Sequence, residues 1–307
     1  MISKVLPFAR LFSRVEWPTF ALIVACYAVW LTLAITGSGL NPLIWILLTG
    51  VMTTLYWSLV HEIVHGHPTC DPAFNQALVA LPMGWVFPIA RFRDGHLQHH
   101  MTGALTDPFD DPESWYMAPA RWRRTPAPLR AVLIFNNTLF GRMLIGPLVT
   151  IWRMAEEDAK LILAGGETGR AVAWAWAVHA MSVCALAALL WAVSPVPVWQ
   201  FAAAAYLGMS VLLIRTFIEH QAAEDVGERT VIIEDSGPLA FLFLFNNLHV
   251  VHHTRPGLPW YRLPGFYRAY REQFIRRNKG YVYPGYGAVF RRYFFRAKEV
   301  VPHPHMG

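Results

Sequence analysis

The sequence predicts an all-α integral membrane protein, with four transmembrane helices in two hairpins and a helical cytoplasmic cap that carries clustered histidines. Three observations predict it. Of 307 residues, 55% are hydrophobic and 15% charged, with mean hydropathy +0.32, values that suit lipid better than a water-facing surface. Four apolar stretches reach the roughly 17 to 25 residues that a bilayer demands. All 26 Lys and Arg residues avoid the two short links that join these stretches in pairs.

The stretches are 18–36, 42–60, 171–193 and 197–217. Gly37-Ser38-Gly39-Leu40-Asn41-Pro42 joins the first pair and Ser194-Pro195-Val196-Pro197 the second. Both links are rich in turn formers, so each pair crosses and returns. Three cations precede the first stretch, ten lie between Arg91 and Arg170, and thirteen follow from Arg215 onward. The positive-inside rule then places both termini and the segments 61–170 and 218–307 in the cytoplasm, within a single domain of residues 1–307. Met1 to Arg14 is short and basic without a small-residue cleavage site, and reads as retained rather than as a signal.

Between and after the spans the pattern is less regular. The runs 74–90 and 131–152 are interrupted by Pro82, Pro88, Asn136, Asn137, Arg142 and Pro147. They are expected to lie in the interface or beside the spans, a fifth span being the alternative. Past Pro264, Phe266, Tyr267, Tyr270 and Phe274 alternate with Arg268, Arg271, Arg276 and Arg277 at helical spacing. A basic interfacial helix or a solvated face of the cap accounts for this. Cys26, Cys70 and Cys184 are far apart and form no C-x-x-C pair, so neither a disulfide framework nor a thiolate zinc site is indicated. A net charge of +6 is explained by topology, and nucleic acid is not an expected partner.

The chemistry sits in the histidines. Three clusters stand out among the 13: His61-Glu-Ile-Val-His65-Gly-His67, His96-Leu-Gln-His99-His100 and His249-Val-Val-His252-His253. On a helix, residues three and four apart share a face, so each cluster is expected to aim its imidazoles at one point. Several such faces at one membrane surface make a multi-histidine metal site, for which iron, zinc and copper are all suited. His220 lies just past the fourth span at the same surface. His179, mid-span, reads as a core residue, and His303 and His305 lie in a Pro-rich tail with no expected part in the site.

The set HEIVH (61–65), HLQHH (96–100) and HVVHH (249–253) over paired spans resembles the membrane fatty-acid desaturase superfamily of desaturases, hydroxylases and ketolases, across residues 18 to 265. The resemblance implies two iron ions with O2 as co-substrate, and His61, His65, His96, His99, His100, His220, His249, His252 and His253 as ligands. His67 is an additional histidine, as a ligand or behind one. Thr216 stands where some relatives have an asparagine that holds a metal-bound water. Asn246 and Asn247 precede the third box, either orienting ligands or capping its helix. The acidic run 106–114 reads as an Asp-Pro loop, or as supplying a carboxylate such as Asp107 to a ligand imidazole or to a cationic substrate headgroup. With no fused heme-binding cytochrome domain, electrons are expected from a separate ferredoxin, rubredoxin or cytochrome with its reductase. The expected reaction is desaturation of the acyl chain of a fatty acid or lipid. Hydroxylation or ketolation of a lipid-like substrate is the alternative, as is desaturation of an amino-acid-derived compound.

Three rival classes fit less of the sequence. His61-Glu62-x-x-His65 is also the zinc hydrolase motif of intramembrane proteases, but that reading leaves both H-x-x-H-H clusters unused. Glu62-x-x-His65 is half of a carboxylate-bridged di-iron pattern, and the sequence lacks the second half. Transport histidines recur through the bilayer depth, whereas these gather at one face.

Overall fold

The computed structural model describes residues 15–306, so the expectation for Met1 to Arg14 lies outside the described residues. In chain order the helices are α1 (Trp17–Thr36), α2 (Pro42–Val64), α3 (Pro72–Ala77), α4 (Ile89–Met101), α5 (Pro119–Arg124), α6 (Ala127–Asn136) and α7 (Leu139–Ala164). They continue with α8 (Gly166–Val193), α9 (Val198–Ile218), α10 (Pro238–Leu242), α11 (His249–Thr254), α12 (Leu263–Arg277) and α13 (Tyr286–Tyr293). The described β-structure comprises one parallel pair of two-residue strands, β1 (Ile232–Ile233) and β2 (Val282–Tyr283), and two isolated bridges. Among the described residues, α1, α2, α8 and α9 are long and apolar enough to cross a membrane. The predicted helical class with four candidate spans is therefore observed, and these begin and end within a few residues of the predicted limits, save that α8 starts five residues earlier and α2 runs on to Val64. Packing divides the described residues into two compact units, 15–89 with 174–209, and 90–173 with 210–306.

The first unit is held by aromatic side chains and by close backbone approach. Pro at the first turn starts both α1 and α2, where its missing N–H costs nothing. Trp45 packs on Phe201 and donates from Nε1 to the Leu33 carbonyl. Gly37 leaves room for that indole, because a Cβ there would sit 2.3 Å from it. α2 and α9 meet through Gly50 and Gly208, with Thr54 Oγ1 donating to the Gly208 carbonyl at 3.0 Å. Such small-residue contacts bring membrane helices together where no hydrophobic driving force exists between them. Apolar side chains of α1 and α8, including Val24, Ile35, Trp174, Met181, Leu189 and Trp191, are exposed, as helices facing lipid require. His179 is satisfied by the Trp85 carbonyl at 3.3 Å. The run 74–90 departs from expectation: α3 ends at Ala77 and α4 begins only at Ile89, with Pro82 and Pro88 in the irregular stretch between them.

In the second unit α6 and α7 bend by 118° about Asn137 and Thr138, so the run 131–152 is two helices, or one broken span. Thr138 caps α7 by accepting from Gly141 N. α12 exists where the aromatic and basic pattern predicted it, but the stripe serves differently. Tyr267 and Phe274 are buried against Leu248, Val250 and Val251 rather than facing lipid or water. Arg271 instead pairs with Glu234, which also accepts from the Tyr267 hydroxyl. The C-terminal tail is not loose either: His303 is buried, stacks edge-on against Tyr116 and donates its backbone N–H to Met117.

A Cβ at Gly208 would lie 2.7 Å from Thr53 and 2.9 Å from the Gly50 carbonyl. Gly208→Val is therefore expected to destabilise the protein by about 1–3 kcal/mol, measured by denaturant unfolding in detergent. A stability equal to wild type would show that α2 and α9 do not depend on this approach.

Candidate metal centre

Two helices of the second unit carry the H-x-x-H-H boxes, α4 and α11. The unit groups their imidazoles in two places rather than at one point. His99, His220, His249 and His253 form one group, with a ligand nitrogen from each within 4.8 Å of the others. His96, His100 and His252 form another. Helical geometry explains the split. Residues i and i+4 lie about 40° apart around the axis, while i+3 and i+4 lie about 100° apart. Each i, i+4 pair, His96 with His100 and His249 with His253, thus stays together, and the i+3 residue, His99 or His252, turns to the other group.

The nitrogens are close. His220 Nε2 lies 3.1 Å from both His99 Nε2 and His249 Nε2, and His253 Nε2 lies 3.1 Å from His249 Nε2. In the other group His252 Nε2 and His100 Nε2 are 3.1 Å apart. Imidazole nitrogens bind a transition metal at about 2.1 Å, which sets two ligands of one ion roughly 3.0–3.4 Å apart.

What stands behind the rings fixes their tautomers. His99 Nδ1 faces the Asp111 carboxylate at 2.7 Å, His96 Nδ1 faces Glu113 at 2.7 Å, and His220 Nδ1 faces the Arg229 carbonyl at 3.3 Å. His249 Nδ1 faces Asn246 Oδ1 at 3.1 Å and Glu219 at 3.5 Å. These oxygens accept, so each Nδ1 carries a proton and each Nε2 points inward. One proton relieves only one such contact, and His220 has two. A cation at the centre satisfies all of them, and the residues therefore fit a bound metal.

Burial sets the charge state. It holds His220, His249 and His253 well below the usual imidazole range, helped by neighbouring rings, so they are neutral near pH 7 as ligands must be. Burial and the His96 and His99 rings likewise push His100 down to about 3. For His99 burial acts the same way but is outweighed by Glu113 and by the Asp111 hydrogen bond, which raise it to about 9. Burial raises Glu219 to about 7 against the pull of Arg215. Arg215 Nε lies 2.9 Å from Glu219 Oε1, too poorly aligned to hydrogen-bond, so that buried pair is held by charge.

The supporting residues are partly those expected. Within the acidic run it is Asp111 and Glu113 that reach ligands, not Asp107, whose Oδ1 is spent accepting from the Phe109 and Asp110 backbone N–H groups. Asp111 is placed by its own loop, its Oδ2 accepting from Thr106 N. Asn246 orients His249, whereas Asn247 donates to the Ile233 and Asp235 carbonyls and neither orients a ligand nor caps α11. Lys298 was not foreseen. It is buried at the end of α9 and donates to the carbonyls of Phe217 and His220, fixing the backbone of that ligand. In the first unit His61 lies on α2 and His65 caps it, their ring centroids 4.8 Å apart. His67 Nδ1 is taken by Glu16 at 2.9 Å.

A family model described as fatty acid desaturase matches residues 37–285. The chain belongs to the fatty acid desaturase family. Among its relatives is a beta-carotene ketolase from Paracoccus sp. (strain PC1), 25% identical over 264 residues, which cover 80% of this chain and 88% of the ketolase. This desaturase-family chain is thus a membrane oxidoreductase of the oxygenase or desaturase type, with histidine clusters able to hold metal.

Asp111→Asn removes the charge behind His99 while nearly preserving shape. Metal affinity is expected to fall about 10- to 100-fold, read by competition with a chelator of known affinity. Unchanged affinity would show that Asp111 does not support the ligand.

Proposed function

We propose that this chain is an O2-dependent di-iron oxidoreductase that oxidises a carbon of a lipid-like substrate. The observation that carries the reading is the inward convergence of imidazole nitrogens in two adjoining groups of the second unit. Seven ligands come from that unit. His61 and His65 are proposed as the remaining two, on the strength of the HEIVH box and its place at the end of α2.

Hydrogen on an unactivated methylene has no useful acidity, so no side-chain base removes it. Two irons held there would supply the oxidant, formed from O2 and two electrons. The chain's own part is to aim the imidazoles, through Asp111, Glu113 and Asn246 for three of them, to hold His100, His220, His249 and His253 neutral by burial, and to bury the site from water. Electrons are proposed to come from a separate donor protein, a ferredoxin, rubredoxin or cytochrome with its reductase. The charge distribution along the sequence supports a cytoplasmic metal site with both termini on that side.

For the outcome, membership in the fatty acid desaturase family supports desaturation of an acyl chain. A second reading, hydroxylation or ketolation, is favoured by the likeness to a beta-carotene ketolase. The products separate them: loss of two hydrogens gives a new double bond, and oxygen insertion gives a hydroxyl or ketone.

Protein expressed with ample iron is expected to hold about two irons per chain. His252→Ala and His99→Ala are each expected to lower bound iron and abolish oxidation while leaving membrane insertion intact. Metal analysis and mass spectrometry of lipid extracts check this; normal activity in either variant, or one zinc unaffected by His252→Ala, would overturn the assignment.

A further inference from the structure

The second unit holds a cavity of about 170 Å³ that none of the histidines lines. We propose that it binds an organic carboxylate, gripped by Arg142 and Arg153 beside Trp115.

The case rests on a guanidinium with no counter-charge among the described residues. Arg142 is 2% exposed, and its Nε donates to the Asn136 carbonyl at 3.0 Å. The Trp115 ring covers one face of the group at 3.5 Å, and Phe217 lies at 5.5 Å. Nη1 is buried and has no hydrogen-bond partner. The charged groups that act on it are cations, Arg153 and Lys298. Leaving a buried charge unpaired is among the costliest arrangements a protein retains. An anion in the cavity removes that cost.

Arg153 supplies the second grip. Its Cζ lies 5.2 Å from the Trp115 ring, and one Nη2 hydrogen is spent on the Ser114 carbonyl at 2.6 Å. Glu157, Glu156 and Asp111 all act on Arg153, but among the described residues none is ion-paired with it: Glu156 is shared between Arg121 and Lys160, Glu157 is exposed, and Asp111 faces His99. Two points favour a carboxylate over a bulkier anion. With a face covered by indole, Arg142 presents N–H groups along its edge, in the plane that a carboxylate matches. The rest of the wall includes apolar Leu133 and Val301, suited to a carbon skeleton. Asn136 Oδ1, also buried and unpartnered, offers an acceptor to a hydroxyl on that skeleton or to water.

The cavity belongs to the loop that serves the metal site. Asp111 and Glu113 face His99 and His96, and the next residues, Ser114 and Trp115, face Arg153 and Arg142. A carboxylate there has two sources, a free small acid or the head of a hydrocarbon chain.

The test is equilibrium dialysis of the iron-loaded full chain in lipid nanodiscs against acetate, octanoate, octan-1-ol and inorganic phosphate, for wild type, Arg142→Lys and Arg153→Gln. Because it reads binding and not turnover, it fails or succeeds independently of the di-iron assignment. Saturable binding of a carboxylate, one per chain, weakened about tenfold or more in both variants, is the expected result. Acetate and octanoate binding alike would identify a free acid, and octanoate alone the head of a chain. The proposal is overturned if wild type binds neither, if octan-1-ol binds as well as octanoate, if phosphate alone binds, or if both variants bind undiminished. Should Arg142→Lys fail to fold, Arg153→Gln decides, since that side chain is only partly buried.

Discussion

Lone pairs that converge in a buried place repel one another unless a positive charge lies between them. That constraint organises the second unit. His99, His220 and His249 each have the outer nitrogen committed to an oxygen that can only accept, and so each turns Nε2 toward the same centre. The acceptors are themselves fixed: Asp111 by the backbone of its loop, the Arg229 carbonyl by its local turn, and Asn246 by Glu219 and the short segment before α11. Removing the outer oxygens would free the rings to flip and pair with each other. The carboxylates are therefore as much a part of the centre as the imidazoles.

Helix α11 shows how much support one ligand helix needs. It has six residues, too few to be stable by itself. It persists because Val250 and Val251 are buried against Leu263, Tyr267 and Phe274 of α12, and because Val250 N donates to the Val231 carbonyl beside β1. Tyr267 and Phe274 of α12 thus contribute to the candidate metal site at one remove, by holding the helix that carries three candidate ligands. Lys298 plays the corresponding part for His220, from a segment almost eighty residues further along the chain. The same unit keeps a pair of arginines against Trp115 on the loop that bears Asp111 and Glu113, which ties the anion-binding chemistry of the cavity to the residues that orient two ligands.

The class of the protein and the ligand types were determined by the sequence itself. Hydropathy and helix length are local properties, so the four spans could be read within a few residues at most of their ends. Histidines at i, i+3 and i+4 are chemically conspicuous without any structure. Other readings failed for a common reason, that they concern partners distant in sequence. Asp107 and Asp111 are alike in a linear reading of Thr106-Asp107-Pro108-Phe109-Asp110-Asp111, and only the folded loop shows which carboxylate is spent on its own turn. Asn246 and Asn247 are adjacent and identical, yet one faces His249 and the other two backbone carbonyls. The aromatic stripe of α12 had the spacing of a membrane-surface helix, and packing against α11 buried Tyr267 and Phe274 of it while Tyr270 stays exposed.

Periodicity placed the box histidines on one side of each helix, but the division of each box into two groups is a three-dimensional outcome. A 100° step between neighbouring residues separates His99 from His100 and His252 from His253, and a metal group forms only where a second helix brings matching nitrogens to within about 3 Å. Sequence determined which side chains are candidate ligands, because side-chain type and helical period are carried by the chain itself. Tertiary structure decided which of them act together, because convergence, burial and the oxygen behind each ring are properties of packing alone.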